Sequence, residues 1–371
     1  MGWEPRRYAP ETKVATMTMV KPNKLLGLEA LRGAAAFYVF IHHAHLLPNQ
    51  GIGRLLYFGQ EAVILFFLLS GFVIFYSSNR RQQGWKEYLL NRAKRIYPIF
   101  IFALLWAYCS QSLIEGKWLG LESSRLMGNV VMLQDVSALK QGVWFDTYYG
   151  NSPLWSISYE WWFYLLFIPL GLNEKFISHD KSVVMALIIS IVGFLGYQII
   201  PNQICLFAGY FFIWWTGVEL AREYMLNGKV SFTGQRTTLF GLLLMAFLWG
   251  VPVMMKLIEH QALQLGLDPV LQFRHHFVAL LFVVSGLWMW QSSFGIFTWI
   301  MLPFIRLARI SFAIYVTHEP LLNVIHHFAG SWPQWLCALT ALPLLLLLGW
   351  ILEVRMQFYV NRYFSHNAFW K

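Results

Sequence analysis

Along the chain, apolar residues gather into runs of roughly 20, the length of helix that spans the hydrocarbon core of a bilayer. Ten such runs occur, near 25–47, 55–77, 96–114, 153–172, 182–200, 203–221, 237–255, 275–292, 310–328 and 334–354. The pattern predicts an all-α polytopic membrane protein, a bundle of about ten transmembrane helices. A further stretch, 294–305, fits the membrane interface as well as it fits a loop. The expected organisation is an N-terminal segment 1–24, a transmembrane domain 25–354 and a tail 355–371, with no repeat, low-complexity run or appended soluble domain. The one long connection is 115–152, polar and aromatic and ending "FDTYYGNSP". Loops of that length in a compact fold are often functional, so a lid or acceptor platform stands beside a plain connector as its reading.

Composition points the same way. The chain is 57% hydrophobic, 18% aromatic and only 12% charged, outside the balance of a soluble domain. Its net charge of +10 would suit nucleic acid if it were concentrated, but Lys and Arg sit in alternate loops. Apart from Arg32, Arg54, Lys117, Arg125, Lys140, Lys256 and Arg274, all fall in 1–24, 78–95, 173–181, 222–236, 293–309 or 355–371. The positive-inside rule makes those segments cytoplasmic, both termini included, and 115–152 extracytoplasmic. The expected surroundings are membrane lipids, with no nucleic-acid partner. Segment 1–24 is basic like the start of a secretory signal, yet the apolar run after it contains Arg32 and lacks a small-residue cleavage site, so it reads as the first helix. Cys109, Cys205 and Cys337 lie in apolar stretches and offer neither a disulfide framework nor a thiolate metal site.

The first span, "LEALRGAAAFYVFIHHAHLL" (28–47), holds Glu29, Arg32, His42, His43 and His45, and ionisable groups within a span are expensive and functional by default. Arg32 and His43 are eleven residues apart, so on a helix they fall within about 20° of one face and about 16 Å along it. A guanidinium near the cytoplasmic end calls for an anion, and an imidazole deeper in can move a proton. The bland alternative is an arginine that snorkels to the interface. The three histidines lack a placed carboxylate or third ligand on one face, so no metal site is expected.

Four other stretches join this helix. In "NRAKRIYP" (91–98), Arg92 and Arg95 stand three apart and project together, able to clamp phosphates. In "GQEAVILFFLLSGFVIF" (59–75), Ser70 and Gly71 allow a ligand or another helix to approach closely. "NSPLWSISYEWWFYLLFIPL" (151–170) places Glu160 in a span among Trp155, Trp161 and Trp162, where it needs protonation or a partner such as Arg32 or His43. In "ARISFAIYVTHEPLL" (308–322), His318 and Glu319 precede Pro320, which breaks the helix and frees carbonyls.

Together, and in this order, these stretches resemble the membrane-bound acyltransferase 3 family, which includes O-acetyltransferases of bacterial surface glycans. The likeness runs from about Leu28 to about Leu322, through the Arg, ten residues, His spacing of Arg32 and His43, "FFLLSGFVI", Arg92-x-x-Arg95, "PLWSISYE" and "ISFAIYVTHEP". The resemblance implies transfer of an acyl group, usually acetyl, from cytoplasmic acyl-CoA to a hydroxyl of lipopolysaccharide, capsule or exopolysaccharide across a bacterial inner membrane. It implies His43 as base or transient acyl carrier, Arg32 as its partner, and Arg92 and Arg95 as contacts for the coenzyme's phosphates. Acyl-CoA is then a donor substrate, and no resident cofactor is expected. Glu160 joins the expected catalytic set and Ser70 and Gly71 the donor site, with Trp155, His318 and Glu319 as further candidates. Ser70, Trp155 or a freed backbone N–H are the candidate donors to the thioester oxygen. The alternative is a transporter or flippase of a lipid-linked sugar or small anion, with the buried Arg, His and Glu as a proton relay.

Overall fold

The computed structural model describes residues 22–47, 51–172, 179–291 and 303–366. Residues 1–21 of the basic first segment, 173–178 and 292–302 of two connections expected to be cytoplasmic, and 367–371 of the tail lie outside the described residues, as does most of 294–305.

The described helices are α1 (Pro22–His43), α2 (Gly59–Arg81), α3 (Trp85–Ile114), α4 (Ser123–Val130), α5 (Trp155–Phe167), α6 (His179–Ile199), α7 (Gln203–Asn227), α8 (Arg236–Ile258), α9 (Val270–Gln291), α10 (Ser311–Ala329), α11 (Gln334–Trp350) and α12 (Gln357–His366). Among the described residues, eight helical stretches are long and apolar enough to cross a membrane, so the chain is an integral, multi-pass membrane protein. The other two expected spans are α5 and α10. α5 has 13 residues, with Glu160 inside it, before a π-helical turn at Ile168–Leu172. α10 has 19 and contains His318, Glu319, His326 and His327. Polar groups lower the hydropathy of the elements that carry the chemistry.

Helix α2 lies against α1, α7 and α9. Its seam with α7 is glycine-lined: a β-carbon on Gly71 would strike the carbonyl of Trp214, and one on Gly217 would strike that of Leu68. Backbones approach this closely only where side chains vanish, which is how membrane helices gain packing without a hydrophobic drive between them. Gly71 thus serves the α2–α7 contact, whereas its neighbour Ser70 faces a cavity.

Two prolines stitch the bundle together. Pro320 does not break its helix, which runs unbroken through it. A proline in a helix deprives the carbonyl four residues back of its N–H, and its ring crowds the preceding turn. Here Asn151 Nδ2 donates to Val316 O at 2.9 Å, and Trp106 Nε1 to Thr317 O at 3.3 Å. Pro98 of α3 acts in the same way, because Gln357 Nε2 donates to Lys94 O at 3.2 Å and to Arg95 O at 3.1 Å. Freed carbonyls that lipid cannot hydrate become docking points for other elements, and the second one brings α12 to the turn that carries Arg95.

The long connection is neither a hanging lid nor a bare linker. It forms α4 and a short parallel pairing of Gln134–Asp135 with Phe145–Asp146, and then turns into the bundle. Ser158 Oγ donates to Gln134 O at 2.8 Å, and Trp162 Nε1 to Met132 O at 2.8 Å. Lys140 Nζ reaches Asp135 Oδ1 at 2.9 Å, with both side chains almost entirely buried, and Tyr159 OH donates to Asp135 Oδ2 at 2.7 Å. Lys140 Nζ also lies 3.8 Å from the ring centre of Trp155. A buried ion is tolerated only when all its bonds are made, and removing one partner of such a pair costs about 3–5 kcal/mol. Lys140→Met is therefore expected to lower the melting temperature of the purified protein markedly, and adding Asp135→Asn to recover most of the loss. A single mutant that melts like the parent would show that the pair does not hold the loop.

Candidate functional site

Helix α1 carries Arg32 and His43 into two separate cavities. The first, of about 140 Å³, is lined by Arg32, Arg92 and Arg95 together with Ser70, Ser156, Glu160, Tyr164 and Tyr315. The second, of about 50 Å³, is lined by His42, His43, Gln60, Ser152, Trp155 and Tyr315, and by Val136 and Leu139 of the inserted loop. The shared face expected of Arg32 and His43 is realised, and Tyr315 borders both chambers.

The first chamber gathers three guanidinium groups. Arg32 Nη2 donates to Ala308 O at 3.0 Å, whereas the Nε atoms of Arg32 and Arg92 are buried without a partner among the described residues. A buried N–H left unpaired costs on the order of 1–3 kcal/mol, a cost that a phosphate or carboxylate would relieve through charge-assisted bonds. Arg95 pairs with the buried carboxylate of Glu353, whose other oxygen accepts from the Ala313 N–H at 3.1 Å. Glu353 thereby ties Arg95 to the first turn of α10. Nothing in the local sequence around Arg95 reveals this partner, although a glutamate at the end of the last apolar run was the available signal.

The sequence asks only that Glu160 be paired or protonated, with a salt bridge to Arg32 or His43 as one reading. In place of an ion pair with Arg32 or His43, its Oε1 accepts from Ser70 Oγ at 2.7 Å and from Tyr164 OH, and Ser70 accepts from Trp214 Nε1 at 3.2 Å. The carboxylate thus sits in the wall of the arginine chamber, held by neutral donors.

Beside the second chamber, behind His43 and off the cavity lining, His318 joins a hydrogen-bond network that selects one tautomer. His318 Nδ1 lies 3.1 Å from Ile314 O, the carbonyl one turn earlier. That carbonyl can only accept, so the proton is on Nδ1 and His318 Nε2 carries a lone pair. His318 Nε2 is 3.2 Å from His43 Nδ1, which is also 3.0 Å from Val39 O. Both neighbours accept, so the proton of His43 is on Nδ1 and its Nε2 is left bare, the form a general base needs. The assignment follows from the network. His42 turns its Nδ1 to Leu56 O at 2.9 Å, while His45 is exposed.

Trp155 presents one face to Lys140 and stacks on His275, with ring centres 6.1 Å apart at 7°. Glu319 accepts from the backbone N–H of Ser152 and fixes the start of α5; it lines neither chamber. Tyr315, Ser156 and Gln60 enter the site without having stood out in the sequence. Tyr315 precedes His318 by three positions, a helical spacing that puts both on one face; Gln60 and Ser156 carry no such signal.

Helix α1 thus places three arginines on one cavity and a neutral imidazole on the next. The family model described as an acyltransferase domain, that of the acyltransferase 3 family, matches residues 25–354. The chain belongs to that family and is a membrane acyltransferase, which decides against the transporter or flippase reading. No curated protein and no solved structure matches the chain.

Proposed function

We propose that this protein is an O-acyltransferase that moves an acyl group, most readily acetyl, from cytoplasmic acyl-CoA to a hydroxyl of a surface glycan such as lipopolysaccharide, capsule or exopolysaccharide, in the inner membrane of a bacterium. The observation that carries the reading is the placement of Arg32 and His43 on one face of α1, each in its own chamber, with Tyr315 common to both. The arginine-lined end, where residues 85–95 meet α12, would face the cytoplasm by the positive-inside rule, together with both termini. Coenzyme phosphates would pair with Arg92 and Arg95, and the slender pantetheine arm would carry the thioester towards His43. The acceptor would enter from the opposite side, against the loop residues Val136 and Leu139.

Sugar hydroxyls are weak nucleophiles. His43 Nε2 takes the hydroxyl proton as the oxygen attacks the thioester carbon, a contribution of about 10²–10⁴-fold in rate, and returns a proton to the departing coenzyme thiolate. His318 acts on His43 by holding its tautomer. The test is transfer of labelled acetyl from acetyl-CoA to glycan by the purified, membrane-reconstituted protein, paired with mass spectrometry of surface glycans from cells with and without the gene. One acyl mass gained only in the presence of the gene supports the proposal and identifies the acceptor. Glycans identical in both cells, with no labelled product, would overturn it.

A further inference from the structure

One chemical role is still without a residue. As the thioester carbonyl is attacked, its oxygen gains negative charge and needs a positioned donor. Ser70 has a single proton, committed to Glu160 at 2.7 Å, and lines the arginine chamber but not that of His43. Trp155 lines the His43 chamber but not the other.

Tyr315 is on both. Its hydroxyl is 2.8 Å from Ser156 Oγ, and Ser156 Oγ is 3.4 Å from Pro153 O. If Ser156 donates to that carbonyl, its oxygen is free to accept, and the tyrosine proton points into the bond between them. The ring is wedged between Phe66, with centres 5.7 Å apart, and His318, 6.2 Å away. Tyr315 therefore borders both the chamber proposed for the donor's charged end and that of the base, with its proton parked on a neutral hydroxyl.

Resting on the acyltransferase reading above, we infer that Tyr315 is a catalytic residue: its hydroxyl leaves Ser156 to donate a hydrogen bond to the thioester carbonyl oxygen in the transition state. The acceptor oxygen forms a bond to the carbonyl carbon and its proton goes to His43 Nε2, while the carbonyl π electrons move onto the oxygen that Tyr315 holds. Collapse re-forms the carbonyl, breaks the carbon–sulfur bond, and sends the His43 proton to the thiolate, giving ester and free coenzyme. A neutral bond to Ser156 is exchanged for a charge-assisted one, available only once charge develops, which is the condition for accelerating the chemical step.

The experiment uses the full chain in lipid nanodiscs with acetyl-CoA and purified surface glycan. Tyr315→Phe is expected to lower kcat about 10²–10³-fold, the usual loss on deleting one such donor, while the dissociation constant for acetyl-CoA changes less than about twofold. Ser156→Ala, which removes only the resting partner, is expected to keep at least about a tenth of kcat. As a second variant, 3-fluorotyrosine at position 315 keeps the ring and hydroxyl but makes the phenol more acidic, so kcat shifts with its acidity, a readout that a packing role would not move. Overturning results are a Tyr315→Phe kcat within about threefold of the parent, a loss confined to donor affinity, or a fluorotyrosine kcat equal to that of tyrosine. An inactive parent would sink the acyltransferase reading itself; an active parent, an inactive His43→Ala and an active Tyr315→Phe would sink this assignment alone.

Discussion

His43→Ala is expected to lower acetyl transfer by about 10²–10⁴-fold, equivalent to about 3–5 kcal/mol of transition-state stabilisation. The loss should fall on kcat. The donor's phosphates would be held in the arginine chamber, which His43 does not line, so affinity for acetyl-CoA should stay within about twofold. Stability should also change little, because among the described residues His43 hydrogen-bonds only to a carbonyl of its own helix and to His318, and the chamber beside it is already an open space of about 50 Å³. His43→Gln refines the test. It restores a hydrogen-bonding side chain but cannot take up a proton near neutrality, and it should be as inactive as alanine. Glutamine activity near the parent level would mean that the side chain only orients the acceptor. Acyl transfer is measured with labelled acetyl-CoA and donor binding by calorimetry.

The second large effect concerns the donor's charge. Arg92→Ala is expected to weaken acetyl-CoA binding about 10- to 100-fold, since a hydrogen bond to a charged group contributes about 1.5–3 kcal/mol. Binding by the parent should weaken as salt is raised, and the mutant should show a shallower dependence. Arg92→Lys should recover only part of the loss, because an ammonium lacks the planar fork that grips phosphate. S-acetylpantetheine, which has the thioester arm and no phosphate, should bind parent and mutant equally. An identical loss for both donors would show that Arg92 shapes the helix rather than holding an anion. Arg95→Ala would mislead if made alone, because it strands the buried Glu353 carboxylate; paired with Glu353→Gln it reads the phosphate contact separately from that penalty.

On the proposed acyl-CoA reading, the two chambers would let one helix serve two substrates of opposite character. A coenzyme rich in negative charge must be recognised where guanidinium groups collect, yet a hydroxyl is deprotonated best by a neutral imidazole, and cations beside it would oppose its taking up a proton. About 16 Å of α1 separates the two requirements. Glu160 lines the arginine chamber, and Glu353 pairs with Arg95 there.

Sequence alone settled a good deal here. Lipid offers the backbone no hydrogen-bond partner, so hydropathy marks the spans, and each of the ten apolar runs is helical over most of its described length. Within a helix the rotation per residue is constant, so the common face of Arg32 and His43 was readable from their spacing, as was the joint projection of Arg92 and Arg95. The ordered motifs sufficed to recognise the acyltransferase 3 family. What could not be read were contacts between helices: Ser70 with Glu160, 90 positions apart; Arg95 with Glu353, 258 apart; and His43 with His318, 275 apart. The same is true of the inserted loop, the carbonyls freed by Pro98 and Pro320 but satisfied from other elements, and Tyr315 as the wall between two chambers. Periodicity fixes which way a side chain points from its own axis, but which partner waits there depends on how the helices pack, and that is decided by close approaches such as Gly71 against Gly217 that only the assembled bundle makes.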